Sequence, residues 1–136
     1  MIKFIVGLKG SGKTKTMIAM ANDAAKTSKG NVVCVEKGLQ LTYDLSHQVR
    51  LVDVDQYNVS GCDAYFGFLC GLMAGNYDIT DIFCDATLSI CGSNMEEFAK
   101  MVEKLLKITT ANGLSIIFTL SCRLEDLPER IQNFTI

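Results

Sequence analysis

Apolar residues along this chain fall into two kinds of run, and their alternation predicts the elements. Residues 2–6 are β-branched and aromatic and run straight into Gly7, the pattern of a buried strand. Residues 32–35 form a second such run, continuous rather than alternating, as a parallel sheet covered on both faces requires. Further strands are expected at 49–54, at 79–85 centred on Ile82-Phe83-Cys84, and at 114–120. Elsewhere the apolar period changes to three and four. Met17, Ile18, Ala21, Ala24 and Ala25 predict a helix from 13 to about 28, stopped by Lys29-Gly30. Tyr65, Phe66, Leu69, Leu72 and Met73 predict another over 63–73, with Gly75-Asn76 at its end. The clearest amphipathic stretch is 94–108, where Phe98, Met101, Val102, Leu105 and Leu106 form one stripe. Ser93 or Asn94 suits its N-cap, and Glu96 and Glu97 in the first turn with Lys104 and Lys107 in the last suit its dipole. Residues 37–48 read as loop, 55–61 as a turn, 124–131 as a short helix limited by Pro128, and 134–136 as a short edge strand.

Apolar strands alternating with crossover helices imply an α/β fold. The expectation is a three-layer α/β/α sandwich around a mostly parallel sheet of five or six strands, with residues 1–136 as a single domain.

Composition narrows the function. The chain has 136 residues, 49% hydrophobic and 21% charged, enough to bury a core without staples. A net charge of −2 excludes a nucleic-acid binder held mainly by net positive charge. No apolar run reaches the length of a membrane-spanning helix, and the apolar N-terminus stops at Gly7, too early for a signal sequence. A cytoplasmic protein is expected. Cys34, Cys62, Cys70, Cys84, Cys91 and Cys122 include no CxxC pair, and several sit in apolar runs. The only histidine, His47, has no cysteine near it in sequence. Buried thiols are expected rather than disulfides or a structural metal site.

The strongest chemical signal is Gly7-Leu8-Lys9-Gly10-Ser11-Gly12-Lys13-Thr14, which fits G-x-x-x-x-G-K-[ST] at every fixed position. A strand precedes it and a helix follows. Glycines let the backbone wrap phosphate oxygens closely, and successive N–H groups with the following helix N-terminus form an anion nest. Lys13 is placed to reach the β- and γ-phosphates, the Thr14 hydroxyl to ligate Mg²⁺, and Thr16 extends the binding segment into the helix. Lys9 and Lys15 add positive charge beside the loop.

In this loop and its strand-loop-helix frame the chain resembles the P-loop NTPase superfamily, which implies ATP or a related nucleoside triphosphate with Mg²⁺. The resemblance also implies an acidic residue closing an apolar strand, and Ile82-Phe83-Cys84-Asp85 supplies Asp85 for the metal. Asp81, at the other end of that strand, reads as surface. Lys9 lies one place away from the extra lysine of deviant Walker A loops and reads as solvated charge. Many such ATPases carry Glu directly after the acidic residue; here Ala86 follows. RecA-like proteins place a catalytic Glu at the end of the strand after the P-loop helix, and Glu36 stands there as general base or water-positioning residue. The structural alternative for Glu36 is a solvent-facing carboxylate paired with Lys37. By the same resemblance Ser121, or Thr119 in its place, is the γ-phosphate sensor, where Gln or Asn is common. Arg123 reads as a phosphate contact or as an ion pair with Glu125 or Asp126. Asp53 and Asp55 read as turn formers, or as residues that line the site or bind Mg²⁺ indirectly, Tyr43 and Tyr57 as base-stacking or packing rings, and His47 as a loop residue.

The resulting expectation is Mg-dependent binding of a nucleoside triphosphate, ATP by resemblance, with slow hydrolysis through Lys13, Glu36 and Asp85. The alternative is a nucleotide-dependent switch without turnover, which the alanine at 86 motivates. A small-molecule or nucleotide kinase fits less well, because Arg50, Arg123 and Arg130 are scattered and no lid insertion is evident. The architecture is also similar to small bacterial ATP-binding proteins labelled twitching-motility ATPases, although the Asp-box and His-box of large secretion motors are missing. A homo-oligomer or a separate protein partner is implied for whatever the domain acts upon.

Overall fold

The computed structural model describes residues 1–41 and 43–136. Its elements run β1 (Ile2–Gly7), α1 (Lys13–Thr27), β2 (Asn31–Glu36), β3 (Val49–Asp53), α2 (Cys62–Gly75), β4 (Ile79–Cys84), α3 (Thr87–Cys91), α4 (Met95–Asn112), β5 (Ser115–Ser121) and α5 (Glu129–Gln132). Short 3₁₀ turns occupy Val54–Tyr57 and Leu124–Asp126. The five strands form one parallel sheet in the order β1-β5-β4-β2-β3.

Burial explains the continuous apolar runs. Val32 to Glu36 of β2 are all buried, as are Ile82, Phe83 and Cys84 of β4, because layers pack on both faces. On one face α2 and α4 bring Tyr65, Leu69, Phe98, Met101, Val102 and Leu105 against Phe4, Val35, Ile82 and Phe118. On the other face Met17 and Ala21 of α1 pack on Val32, Cys34, Phe83 and Ile117. Leu41 and Leu45, from the segment after β2, extend that second layer. The arrangement is compatible with a three-layer α/β/α sandwich. Rings lock α4 to the sheet: Phe98 lies 5.6 Å from Phe4 and 5.8 Å from Phe118, centroid to centroid.

Several expectations are corrected. Residues 134–136 add no sixth strand. They make a single bridge from Thr135 to Phe4, in which the Phe4 N–H donates to Phe134 O and the Ile136 N–H to Phe4 O, both at 2.9 Å. The short helix expected over 124–131 is split, because Pro128 holds Leu127 extended (φ −83, ψ 140) between the 3₁₀ turn and α5. α4 runs on to Asn112 and stops only at Gly113, whose φ of +68 is the left-handed C-cap, so Lys104 and Lys107 fall outside its last turn. Its N-cap is Asn94, whose Oδ1 accepts the Glu97 N–H at 3.0 Å. The third and fourth strands end one residue short of expectation, at Asp53 and Cys84. The short helix α3 was not anticipated. The segment read as loop over 37–48 includes residue 42, which lies outside the described residues; around it Leu41 and Leu45 are buried.

All six cysteines are free thiols, five of them buried. Among the described residues no helix is long and apolar enough to cross a membrane.

Candidate functional site

A parallel sheet brings all its strand C-termini to one edge, and the register decides which residues meet there. Val35 lies opposite Cys84, Cys84 opposite Phe118, and Gly7 opposite Ser121. Glu36, Asp85 and Thr119 therefore stand in a row. β5 lies between β1 and β4, so Thr119 separates the loop-bearing strand from Asp85.

The glycine-rich loop is built by sterics. Gly10 and Gly12 have φ of +85 and +86, which side chains disfavour. At Gly7 the constraint is space: a Cβ there collides with Ser11 Oγ. The Ser11 N–H donates to Leu8 O at 3.1 Å, closing the turn. Gly12 is the N-cap of α1; among the described residues no side chain caps that helix end, and no acid lies in its first turn. Its amide donors and the positive end of its dipole thus favour an anion. Lys13 Nζ donates to Leu8 O at 3.1 Å.

Beside the loop is a cleft of about 400 Å³, lined by Lys9, Gly10, Gly12, Lys13, Thr14, Lys15, Asp85, Ala86, Thr119 and Ser121. A groove of similar size, about 410 Å³, runs between α2 and α4, but Asp63 and Glu97 offset Lys100 and Lys104 there. Three lysines against one carboxylate distinguish the cleft at the loop.

Within it the Thr14 hydroxyl donates to Asp85, 3.1 Å from Oδ1 and 3.3 Å from Oδ2. Thr119 Oγ1 donates to Asp85 Oδ1 at 2.6 Å and accepts the Ala86 N–H at 3.0 Å. The Asp85 N–H donates to Val35 O at 2.9 Å, which fixes its backbone to β2. A hydroxyl and a carboxylate in contact are hard oxygen donors. They fit a cation such as Mg²⁺, which keeps most of its waters and takes few protein ligands. Among the described residues no group of three or more His, Cys, Asp or Glu side chains is gathered to hold a metal.

Glu36 is buried, only 4% exposed, and its Oε1 accepts the Leu41 N–H at 3.0 Å. The solvent-facing pairing with Lys37 is not formed; Lys37 meets Asp55 at 3.3 Å. Burial pushes the Glu36 carboxyl above its usual range, opposed by the Leu41 N–H and reinforced by the negative charge of Asp85. Asp53 is a turn former, its Oδ1 accepting the Gly38 N–H at 2.7 Å and the Asp55 N–H at 2.9 Å.

The remaining expected residues divide plainly. Ser121 is exposed and lines the cleft on the same side as Thr119, two residues along β5. Thr16 donates to Gly12 O at 3.1 Å and lies outside the cleft lining, as do Gly7, Leu8 and Ser11, which shape the loop. Arg123 pairs with Asp126 at 3.7 Å. Tyr57 packs on Phe68 at 5.7 Å between ring centroids, and Tyr43 is 98% exposed; neither reaches the cleft. His47 lies in a separate groove beside β3. The Thr119–Asp85 bond and the backbone of Ala86 are the features that sequence reasoning did not assign; only the spacing of 119 and 121 pointed toward them.

The chain matches no known family profile and no curated protein. Its functional reading rests on the loop, the cleft and their chemistry.

Proposed function

We propose that this chain is a P-loop NTPase domain that binds a nucleoside triphosphate with Mg²⁺, ATP by resemblance, and hydrolyses it slowly. The observation that carries the reading is the contact between Thr14 and Asp85, which joins the glycine-rich loop to a strand 71 residues away. Backbone amides of the loop and the open end of α1 hold the phosphates. Lys13 supplies charge to them. Thr14 and Asp85 hold Mg²⁺, which when bound neutralises and polarises the phosphate oxygens. Ser121 faces the terminal phosphate. Glu36, kept basic by burial, accepts a proton from the attacking water.

A second reading has its own support. Ala86 follows Asp85 where many ATPases carry Glu, and Glu36 is engaged by the Leu41 N–H. These features favour a nucleotide-dependent switch with no significant turnover. Transfer to a small-molecule acceptor is less favoured, because Arg130 is held by Glu96 and Glu103, Arg123 by Asp126, and Arg50 lines a different groove, so among the described residues no arginine lines the cleft. Residues 1–136 would then act on a protein partner or within a homo-oligomer.

The deciding measurement is the melting temperature with and without Mg-ATP, since a ligand that binds only the folded state raises it by mass action. Lys13→Ala should abolish the shift, and an equal shift in that variant would remove the loop from the reading. Single-turnover phosphate release then separates the ATPase from the switch: release in the parent and its loss in Glu36→Gln, with binding kept, support hydrolysis. A comparison of ATP with GTP reads the base preference.

A further inference from the structure

A threonine hydroxyl has one proton and two lone pairs. At Thr119 the proton lies on Asp85 Oδ1, at 2.6 Å, and a lone pair receives the Ala86 N–H at 3.0 Å. The donor direction is fixed from the Ala86 side, because an N–H can only donate. Thr119 is 2% exposed and Asp85 9%, so the pair is shielded from competing water. The Ala86 N–H is turned inward by a left-handed backbone, φ 53 and ψ 40, which an alanine adopts at some cost. Ala86 is also the N-cap of α3, its carbonyl accepting the Ser89 N–H at 3.0 Å, and its own N–H occupies a lone pair of Thr119 and leaves that hydroxyl's proton for Asp85. Oδ1 of Asp85 also takes the Thr14 hydroxyl, so two side chains, from β5 and α1, converge on one carboxylate oxygen.

We infer that Thr119 is a positioning residue for Asp85: it fixes the carboxylate toward Thr14 and thereby sets how tightly that pair takes the divalent cation of the bound nucleotide. The inference rests on the nucleotide-binding reading above and assigns Thr119 a different task from phosphate sensing. Its one proton is committed to Asp85, which leaves Ser121, further along the same face and exposed, as the hydroxyl that meets phosphate.

Two variants test this. Thr119→Val keeps the shape and removes the hydroxyl, and Thr119→Ser keeps the hydroxyl. Mg²⁺ is titrated at fixed ATP with the melting temperature as readout, and ATP binding is measured separately in excess chelator. Partners behind a metal ligand typically govern affinity by ten- to a hundredfold, so half-saturating Mg²⁺ should rise about tenfold or more in Thr119→Val and stay near the parent in Thr119→Ser. Metal-free ATP binding should be alike in all three proteins. An unchanged Mg²⁺ requirement in Thr119→Val overturns the inference, and so does an equal loss of ATP binding with and without Mg²⁺, which would mean general damage to the cleft. A ligand-free readout keeps this failure separate from failure of the nucleotide reading. Melting-temperature changes for Thr119→Val and Asp85→Ala, alone and together, should be non-additive if the hydroxyl holds that carboxylate. Additive changes overturn the positioning role whatever the parent binds. Non-additive changes in a parent that shows no Mg-ATP shift would keep the Thr119–Asp85 contact, overturn the nucleotide reading, and with it the cation role assigned to Thr119.

Discussion

Glu36 turns its Oε1 onto the Leu41 N–H at 3.0 Å, away from the neighbouring Lys37, and is buried there. Burial raises its carboxyl above the unfolded value, so the folded state binds this proton more tightly than the unfolded one. The stabilisation is complete below the unfolded carboxyl range and is lost as pH rises through the folded value. Glu36→Gln keeps an acceptor for the Leu41 N–H and cannot ionise. Its melting temperature relative to the parent should therefore improve as pH rises from the ordinary glutamate range, about 4, upward. Parallel thermal melts across that range check this; a difference that stays flat with pH sinks it.

Glycine to alanine should change sign with location. Gly12 has φ of +86, and alanine there should cost about 1–2 kcal/mol. Gly71 lies in the middle of α2, exposed, with open space where a Cβ would stand. Alanine there should stabilise by about 0.5–1 kcal/mol. Urea unfolding of both variants reads the contrast, and two shifts of the same sign would contradict it.

Ala86→Gly releases the left-handed strain beside Asp85 and should stabilise the ligand-free protein by about 1 kcal/mol. Chemical denaturation of the variant with unchanged m-value is the check. A destabilised variant would show that the alanine methyl contributes more in packing than its backbone costs.

The Tyr65 hydroxyl is fully buried against Cys84 with no oxygen or nitrogen partner among the described residues. Burial also pushes the Cys84 thiol up to about 12, so no charged partner compensates. Tyr65→Phe removes an unsatisfied polar atom and keeps the ring. Its stability should match the parent or exceed it by up to about 1 kcal/mol. A loss beyond about 1 kcal/mol in urea melts would show that the sulfur contact is a real hydrogen bond.

The pattern of apolar positions reached the five strands and α4 because burial on both faces, or on one stripe, leaves a mark in every residue. It singled out Asp85 as a candidate because a polar residue closing an apolar run is conspicuous. It did not reach α3: five residues are too few to show a period. It also left Thr119 and Ser121 equivalent, since both share one face of β5 and only the placement of β4 decides which meets Asp85. The segment around 37–48 looked like plain loop because its ties are tertiary. Asn22 on α1 holds it with both amide atoms, Nδ2 donating to Asp44 O at 3.1 Å and Oδ1 accepting the Ser46 N–H at 2.8 Å. Glu36 reads as exposed or buried depending on that segment, so its environment was hidden too.

The placement of β5 between β1 and β4 also bears on when the site exists. Among the described residues β1 pairs with nothing earlier in the chain than β5, Ile2 lying opposite Ile116, and Asp85 gains its Thr119 bond only when β5 is in place. During synthesis the glycine-rich loop is made before β5, and it has no sheet to sit on until residues 115–121 have emerged. Contacts this distant in sequence form late and slowly. A truncated nascent chain therefore exposes a lysine-bearing loop without the edge that gives it geometry, and ligand stabilises only chains long enough to have closed the sheet.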